Sequence, residues 1–264
     1  MKPYRVLNTV RSEKPLVHHI TNWVTIYDCA NVTRAVGALP VMAHAPEEVQ
    51  DMTGISNALV LNIGTLTQSL IDAMVMAGQK ANAKGIPVVL DAVGAGATSF
   101  RNEKSAQLIK NVKINIVKGN ASEIASLLGV KSVTRGVESA GVEGKPEDIA
   151  MRLAQQLQCT VVITGATDIV SNGFQTILVK NGHRMMGNVV GTGCMVTSVI
   201  ASFAAVEKDL LVAASCALAC FGIAGELAAE KAGGPGTFKE HFYDALFHLS
   251  EAQVEQLAKV SEYA

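Results

Sequence analysis

The sequence is short of charge. Lysine, arginine, aspartate and glutamate make up 17 % of its 264 residues, against about 25 % in an ordinary soluble protein. The 22 basic residues face 23 acidic ones, for a net charge of −1. No basic excess exists to neutralise a run of phosphates, which argues against a nucleic-acid partner met through a broad surface. A disulfide framework is also missing. Five cysteines are an odd count and none stand in a CxxC pair, so a reducing, cytoplasmic setting is expected. No Gly-Lys-Ser/Thr closes a Walker A loop, and Gly94-Ala95-Gly96 lacks the third glycine of a dinucleotide fingerprint. The first residues, Met1-Lys2-Pro3-Tyr4-Arg5, carry no secretory leader pattern.

What the chain has is apolar length. Hydrophobic residues make up 49 % and the mean hydropathy is +0.28. Such a composition excludes a disordered chain. It predicts much buried surface, in a large α/β core or between subunits. Residues 185–206 and 210–225 contain no charged side chain, so a membrane hairpin must be weighed. The first run opens with Met-Met-Gly-Asn and carries Gly187, Gly191 and Gly193. The apolar part that follows is about a dozen residues, too short to span a bilayer. The expectation is two helices buried on nearly all sides and no membrane partner.

Short apolar runs alternate with helical patterns. Residues 58–63, 86–90, 113–117 and 160–164 read as buried strands. Residues 66–84, 102–110, 121–128 and 146–157 read as helices. This alternation predicts an α/β protein with a parallel sheet covered on both faces. Residues 168–171 and 174–179 flank Asn172-Gly173 and predict a late antiparallel hairpin with a primed turn. Helices 194–205, 210–232 and 239–260 follow, the last two separated by Gly233-Gly234-Pro235-Gly236. Residues 135–145 read as a surface loop. With no repeat and no linker, a single domain over 1–264 is expected.

Ligands of open α/β sheets bind beyond the carboxyl ends of the strands. Those ends carry Asp91, then Lys118, Asn120 and Glu123, then Thr164 and Gly165. Asp91 and Glu123 can hold Mg²⁺ near nucleotide phosphates. Equally, Asp91 can accept loop N–H bonds, and Glu123 can close a capping box with Asn120. Gly191-Thr192-Gly193-Cys194 opens an uncharged helix. Glycine lets the backbone approach a phosphate, and free N–H groups at a helix start favour an anion; an ordinary loop fits the same residues. Cys194 falls in the first turn, where a helix end lowers a thiol pKa, and can be nucleophile, base or bystander. Cys29, Cys159, Cys216 and Cys220 read as core packing. His18 and His19 have no third ligand at a zinc spacing and read as a segment entering a helix, with Asn22 as cap.

Six segments occur in this order: His18-His19-Ile20-Thr21-Asn22, Val41-Met42-Ala43, Asp91-Ala92-Val93-Gly94-Ala95-Gly96, Lys118-Gly119-Asn120-Ala121-Ser122-Glu123, Thr164-Gly165 and Gly191-Thr192-Gly193-Cys194. Together they closely resemble the hydroxyethylthiazole kinases of thiamine salvage, over essentially the whole chain. The resemblance implies a ribokinase-like three-layer α/β fold, with a mostly parallel central sheet flanked by helices. It implies direct transfer of the ATP γ-phosphoryl, with Mg²⁺, to the primary alcohol of 4-methyl-5-(2-hydroxyethyl)thiazole. Carried over by position, it implies that Met42, Asn22, Val24 and Gly191 bind the thiazole. Lys118, Thr164 and Asn120 bind ATP, Asp91 and Glu123 serve the metal, and Thr192, Gly193 and Cys194 form the catalytic turn. Many relatives carry arginine at the place of Lys118; lysine keeps the charge and loses the bidentate fork. Most ribokinase-like enzymes carry an aspartate base at the place of Cys194, where thiazole kinases often carry cysteine. Phosphoryl transfer depends mainly on positioning and charge stabilisation, so Cys194 is read as a positioning group or inefficient base. A cytoplasmic homotrimer with thiazole sites between subunits is implied as well. Within the fold the alternatives are a hydroxymethylpyrimidine or pyridoxal kinase, or a nucleotide-dependent hydrate dehydratase, against which Asn22 and Met42 argue. Outside enzymes the alternative is a nucleotide-binding module, against which the carboxylate pair argues.

Overall fold

The structure is a computed structural model; it describes residues 2–263 except 131, 136, 137 and 143. Helix α1 (Pro3–Glu13) leads to strand β1 (Leu16–Ile20), α2 (Ile26–Ala35), β2 (Leu39–Val41), α3 (Val49–Ile55) and β3 (Ala58–Asn62). Next come α4 (Gln68–Lys84), β4 (Val88–Asp91), α5 (Ser99–Asn111), β5 (Ile116–Asn120) and α6 (Ala121–Leu127). A hairpin of β6 (Ser132–Arg135) and β7 (Glu138–Val142) precedes α7 (Pro146–Leu157), β8 (Thr160–Thr164), β9 (Asp168–Ser171) and β10 (Thr176–Val179). The chain ends with a 3-10 turn (Arg184–Asn188), α8 (Thr192–Ala204), α9 (Leu210–Ala229), α10 (Pro235–His248), α11 (Glu251–Leu257) and β11 (Val260–Glu262).

One sheet runs in the order β11-β10-β9-β8-β5-β4-β3-β1-β2. The pairs from β2 to β8 are parallel; β9, β10 and β11 add on antiparallel. Strands in the parallel part are apolar on both faces, as strands covered by helices on both sides must be. Side chains alternate between two cores. Ala58 and Val60 of β3 enter one with residues of α1, α2, α8, α9 and α10; Leu59 and Leu61 enter the other with α4, α5, α6 and α7. The expected three-layer α/β architecture is the one observed. By length and composition α9 is apolar enough to cross a membrane, yet 78 % of its most apolar window is buried inside the protein. The two uncharged runs are the core helices α8 and α9.

Several local expectations change. His18 and His19 lie within β1, not in a helix entry, because each ring finds a carbonyl: His18 Nε2 donates to Ala43 O at 2.7 Å and His19 Nδ1 to Val17 O at 3.0 Å. The single helix over 239–260 is two helices and a strand. Ser250 starts α11 with a capping box to Gln253. Arg11 closes the end of α10 by donating to the carbonyls of Leu246, Phe247 and Leu249. A cap supplied from the far end of the chain has no local signal. The β9–β10 connection is four residues long, not a two-residue primed turn: Ser171 pairs with Thr176, and Asn172 Oδ1 accepts the N–H groups of Phe174 and Gln175. The loop expected over 135–145 contains β7, paired with β6; residues 136, 137 and 143 lie outside the described residues.

Gly222 of α9 packs against Asn181: an added Cβ would stand 2.6 Å from the Asn181 backbone carbonyl. Alanine gains about 1 kcal/mol of helix propensity, but overpacking costs about 1–3 kcal/mol and more against rigid backbone. Gly222→Ala is therefore expected to lower the thermal midpoint measured by calorimetry; a raised midpoint would show that Asn181 yields easily.

Candidate active site

The site is built on three neighbouring strand ends. Asn62 closes β3, Asp91 closes β4 and Lys118 lies in β5. The parallel register sets Asn62 beside Asp91 and Asp91 beside Lys118. All three follow the alternation onto the face covered by α8, and all are buried. Lys118 Nζ lies 3.4 Å from both Asp91 oxygens. Asp91 Oδ2 also accepts from Asn62 Nδ2 at 3.0 Å and from Thr197 Oγ1 of α8 at 2.7 Å. Burial alone would pull the Lys118 pKa down, but Asp91, Glu123 and Cys194 together outweigh it and raise it. The ammonium is held protonated.

The first turn of α8 lies over this row. Gly191 takes φ of +93°, and a Cβ there would meet Thr25 Cγ2 at 2.4 Å, so glycine alone fits. Thr192 Oγ1 donates to Met186 O at 3.0 Å and ties the 3-10 turn to the helix start. The first helical bond runs from Met195 N to Gly191 O. The N–H groups of Thr192, Gly193 and Cys194 thus stand at the positive end of the helix, outside its internal bonding. A Cβ on Gly193 would lie 3.3 Å from Lys118 Nζ. Helix end and ammonium share one place, and an anion there meets both.

Glu123 sits in the first turn of α6. Its Oε2 accepts the Asn120 N–H at 2.6 Å, and Asn120 Oδ1 accepts the Glu123 N–H at 3.0 Å, so the capping box is made. Its Oε1 accepts the Gly94 N–H at 2.7 Å, which binds the loop after β4 to α6. Burial raises the Glu123 pKa; Lys118 opposes this and Asp91 adds to it. Among the described residues no group of three or more His, Cys, Asp or Glu converges as a metal cluster.

Asn22 and Cys194 meet at the same helix start. Asn22 Oδ1 accepts the N–H groups of Val24 and Thr25, at 3.1 and 3.0 Å, just ahead of α2. Its Nδ2 donates to Asn62 Oδ1 at 2.9 Å and to Cys194 Sγ at 3.3 Å. The thiol expectation is corrected here. Burial first, then Asp91, raises the Cys194 pKa, against opposing effects of Lys118 and nearby donors. The helix end does not prevail, because the sulfur is buried beside a carboxylate. Val24 is 65 % exposed. Met42, just past β2, is half-buried. Trp23 packs edge-on against His44, with ring centroids 4.6 Å apart.

A cleft of about 510 Å³ opens at the same helix start, between the β8–β9 turn, the segment after β10 and α9. Thr164, Gly165, Asp168, Arg184, Thr192 and Gly193 are in its lining, whereas Lys118 and Asn120 are not. Asp168 Oδ1 accepts the Gly165 N–H at 2.9 Å. Burial pushes its carboxyl up to about 7, against the Gly165 bond and Lys118. Sequence reasoning missed Asn62, Thr197 and Asp168. Asn62 had a signal: a polar residue closing an apolar run, as Asp91 does. Thr197 had none: it is one of four hydroxyl residues in an otherwise apolar helix.

A family model described as the hydroxyethylthiazole kinase family matches residues 7–252. The chain is 57 % identical to a hydroxyethylthiazole kinase of Methanosarcina mazei over 256 residues, 97 % of this chain and 98 % of that one. It resembles the structure of a hydroxyethylthiazole kinase protein from Pyrococcus horikoshii OT3 with a TM-score of 0.92, at 43 % identity and 99 % coverage of both chains. A ribokinase-like superfamily protein of Enterococcus faecalis V583 shares the fold at a TM-score of 0.65 and 12 % identity, over 89 % of this chain and 88 % of that one.

A raised thiol pKa has a measurable consequence, because only the thiolate is alkylated. Modification of Cys194 by iodoacetamide, followed by peptide mass, is expected to be slow at neutral pH and to speed up about tenfold per pH unit into the alkaline range. A rate already level at neutral pH would mean a depressed pKa.

Proposed function

This chain belongs to the hydroxyethylthiazole kinase family, and from that premise we propose that it transfers the γ-phosphoryl group of ATP in line to the primary alcohol of 4-methyl-5-(2-hydroxyethyl)thiazole. The observation that carries the proposal is the placement of the α8 start. The 510 Å³ cleft is lined by Thr192 and Gly193, the Asn22–Cys194 contact lies in the same first turn but outside that lining, and Lys118 stands against Gly193. Nucleotide in the cleft and alcohol beside Cys194 would meet at the positive end of the helix. There the alcohol oxygen forms its bond to the γ-phosphorus while the bond to the β-phosphate bridging oxygen breaks; the hydroxyl proton is released to solvent as the ester forms, and ADP leaves. Charge stabilisation falls to the N–H groups of Thr192, Gly193 and Cys194 and to Lys118. Thr164 lies in the cleft beside the nucleotide; Asn120 acts through the Glu123 capping box. Gly191 permits the tight approach, and Met42, Val24 and Asn22 hold the thiazole side. Cys194, a protonated thiol near neutrality, positions the hydroxyl more than it removes its proton, which a loose transition state tolerates.

Asp91 and Glu123 are the residues that would hold Mg²⁺, directly or through water. Their chemistry fits: they are hard oxygen donors, Asp91 Oδ1 and both Glu123 oxygens each accept a single bond and keep a lone pair, and with Lys118 the two carboxylates leave one net negative charge. A Mg²⁺ site of one or two carboxylates completed by phosphates and water is the usual form. The ion supplies charge neutralisation at the phosphates.

The reading extends to assembly and place. Residues 1–264 act as one domain. Trp23, Val24 and Tyr27 are 49 %, 65 % and 74 % exposed and lie within five residues after Asn22 in sequence. An apolar rim of this kind beside a half-open site supports a homotrimer whose thiazole sites lie between subunits. Five free cysteines suit the cytoplasm.

Three outcomes are expected. With ATP and Mg²⁺, a panel of the thiazole alcohol, hydroxymethylpyrimidine and pyridoxal gains a phosphoryl group by mass fastest on the thiazole alcohol, and chelation stops it; faster transfer to another alcohol, or alcohol-independent ATP loss, refutes the reading. Steady-state kinetics on Cys194→Ala show a lower kcat at nearly unchanged KM, while Cys194→Asp remains active. A phosphocysteine route would instead leave Cys194→Ala dead and trap a phosphoprotein. Light scattering gives three times the 27.7 kDa chain mass; an active monomer would end the shared-site model.

A further inference from the structure

Asn62 is the one polar residue of β3, a strand that otherwise reads Ala-Leu-Val-Leu. It is buried to within 1 %. Burying an amide is unfavourable unless its donors and acceptor are bonded, and here both ends are. Oδ1 accepts from Asn22 Nδ2 at 2.9 Å and from the Gly64 N–H at 2.9 Å; Nδ2 donates to Asp91 Oδ2 at 3.0 Å. These partners fix the orientation. The Gly64 N–H can only donate, so Oδ1 must face it; the Asp91 carboxylate accepts, so Nδ2 must face that. Turning the amide over would set oxygen against carboxylate and NH₂ against N–H.

Asn22 is locked in the same sense. Its Oδ1 is taken by the N–H groups of Val24 and Thr25 and by Thr25 Oγ1. Its Nδ2 is thereby turned to Asn62 Oδ1 and Cys194 Sγ. Gly64 completes the clamp: a Cβ there would press to 2.8 Å on Asn22 Cβ. The result is a chain of bonds with one polarity, from the loop before α2 through Asn22 and Asn62 to Asp91. It crosses from the alcohol side of the site to the phosphate side.

We propose that Asn62 is a positioning residue that holds Asn22 and Cys194 in fixed register with Asp91, and so sets the approach of the alcohol to the phosphoryl group. This rests on the functional reading above. Asn62 acts through its two neighbours, not by touching ATP. An apolar residue would fill the same volume and pack with the rest of β3, but it would leave Asn22 Nδ2 without its acceptor on β3 and Asp91 short of a donor.

The test is kinetic. Asn62→Ser keeps a small polar group without the reach to both partners; Asn62→Val removes polarity. In both, kcat for the thiazole alcohol is expected to fall about 10- to 100-fold, the scale of a misplacement near 1 Å. KM for ATP stays within about threefold of the parent, as does ATP affinity measured by calorimetric titration. Repeating Asn62→Ser in an Asn22→Ala background should add little further loss, because both changes cut one chain; independent roles would multiply. An unchanged kcat in Asn62→Ser, multiplicative losses, or equal damage to ATP binding would overturn the proposal. So would loss of the folded state in Asn62→Ser by thermal melting, which would assign the residue to folding. An inert parent refutes the functional reading and this inference with it; an active parent with active variants refutes the inference alone.

Discussion

The buried pair of Lys118 and Asp91 is the constraint on which the site depends. Taking two charges out of water is costly, and their attraction offsets the cost only when the remaining bonds are made as well. Here they are made: Asn62 and Thr197 donate to Asp91, and Lys118 lies against the α8 start. The row Asn62–Asp91–Lys118 also fixes sheet register. A slip of one residue in β4 or β5 would turn a charge onto the opposite face, where Leu59, Leu61, Leu90 and Val117 form an apolar core. The buried charges proposed to receive an anion thus also hold three strands in step.

The second dependence runs through α8. It can place its first turn over the strand ends only if the rest of it packs closely on the sheet, and eleven of its thirteen residues are buried. That packing explains the missing charge in the sequence. Two uncharged runs, residues 185–206 and 210–225, are what two core helices in one layer require. Of the two, α9 satisfies a membrane test by length and composition while lying mostly inside the protein.

Much of this was legible. Asp91, Lys118 and Glu123 stood at the ends of apolar runs, and the parallel α/β rule said where such ends converge. Strand–helix alternation gave the layers. What escaped depends on partners distant in sequence. β1 was hidden because two histidines interrupt it, and only the carbonyls of Ala43 and Val17 make their burial acceptable. The break after α10 depends on Arg11. The Cys194 pKa was read from its place on a helix, whereas burial and Asp91 dominate it; both are set by tertiary packing. Asn62 shares the strand-end pattern of Asp91, but a lone amide suggests no chemistry until its partners are known.

The neutral side chain at residue 194 fits this charge balance. Asp91 and Glu123 already oppose a single ammonium, and each carboxylate raises the proton affinity of nearby acids: Asp91 does so for Cys194 and for Glu123. A further carboxylate in the first turn of α8 would sit beside Asp91 and would also turn the positive end of the helix toward itself. A thiol leaves that end open to the phosphates of the proposed nucleotide. It gives up strength as a base and keeps the field at the point where negative charge is transferred. For a reaction whose transition state asks more for charge stabilisation than for proton removal, that exchange favours a buried, protonated sulfur held by Asn22.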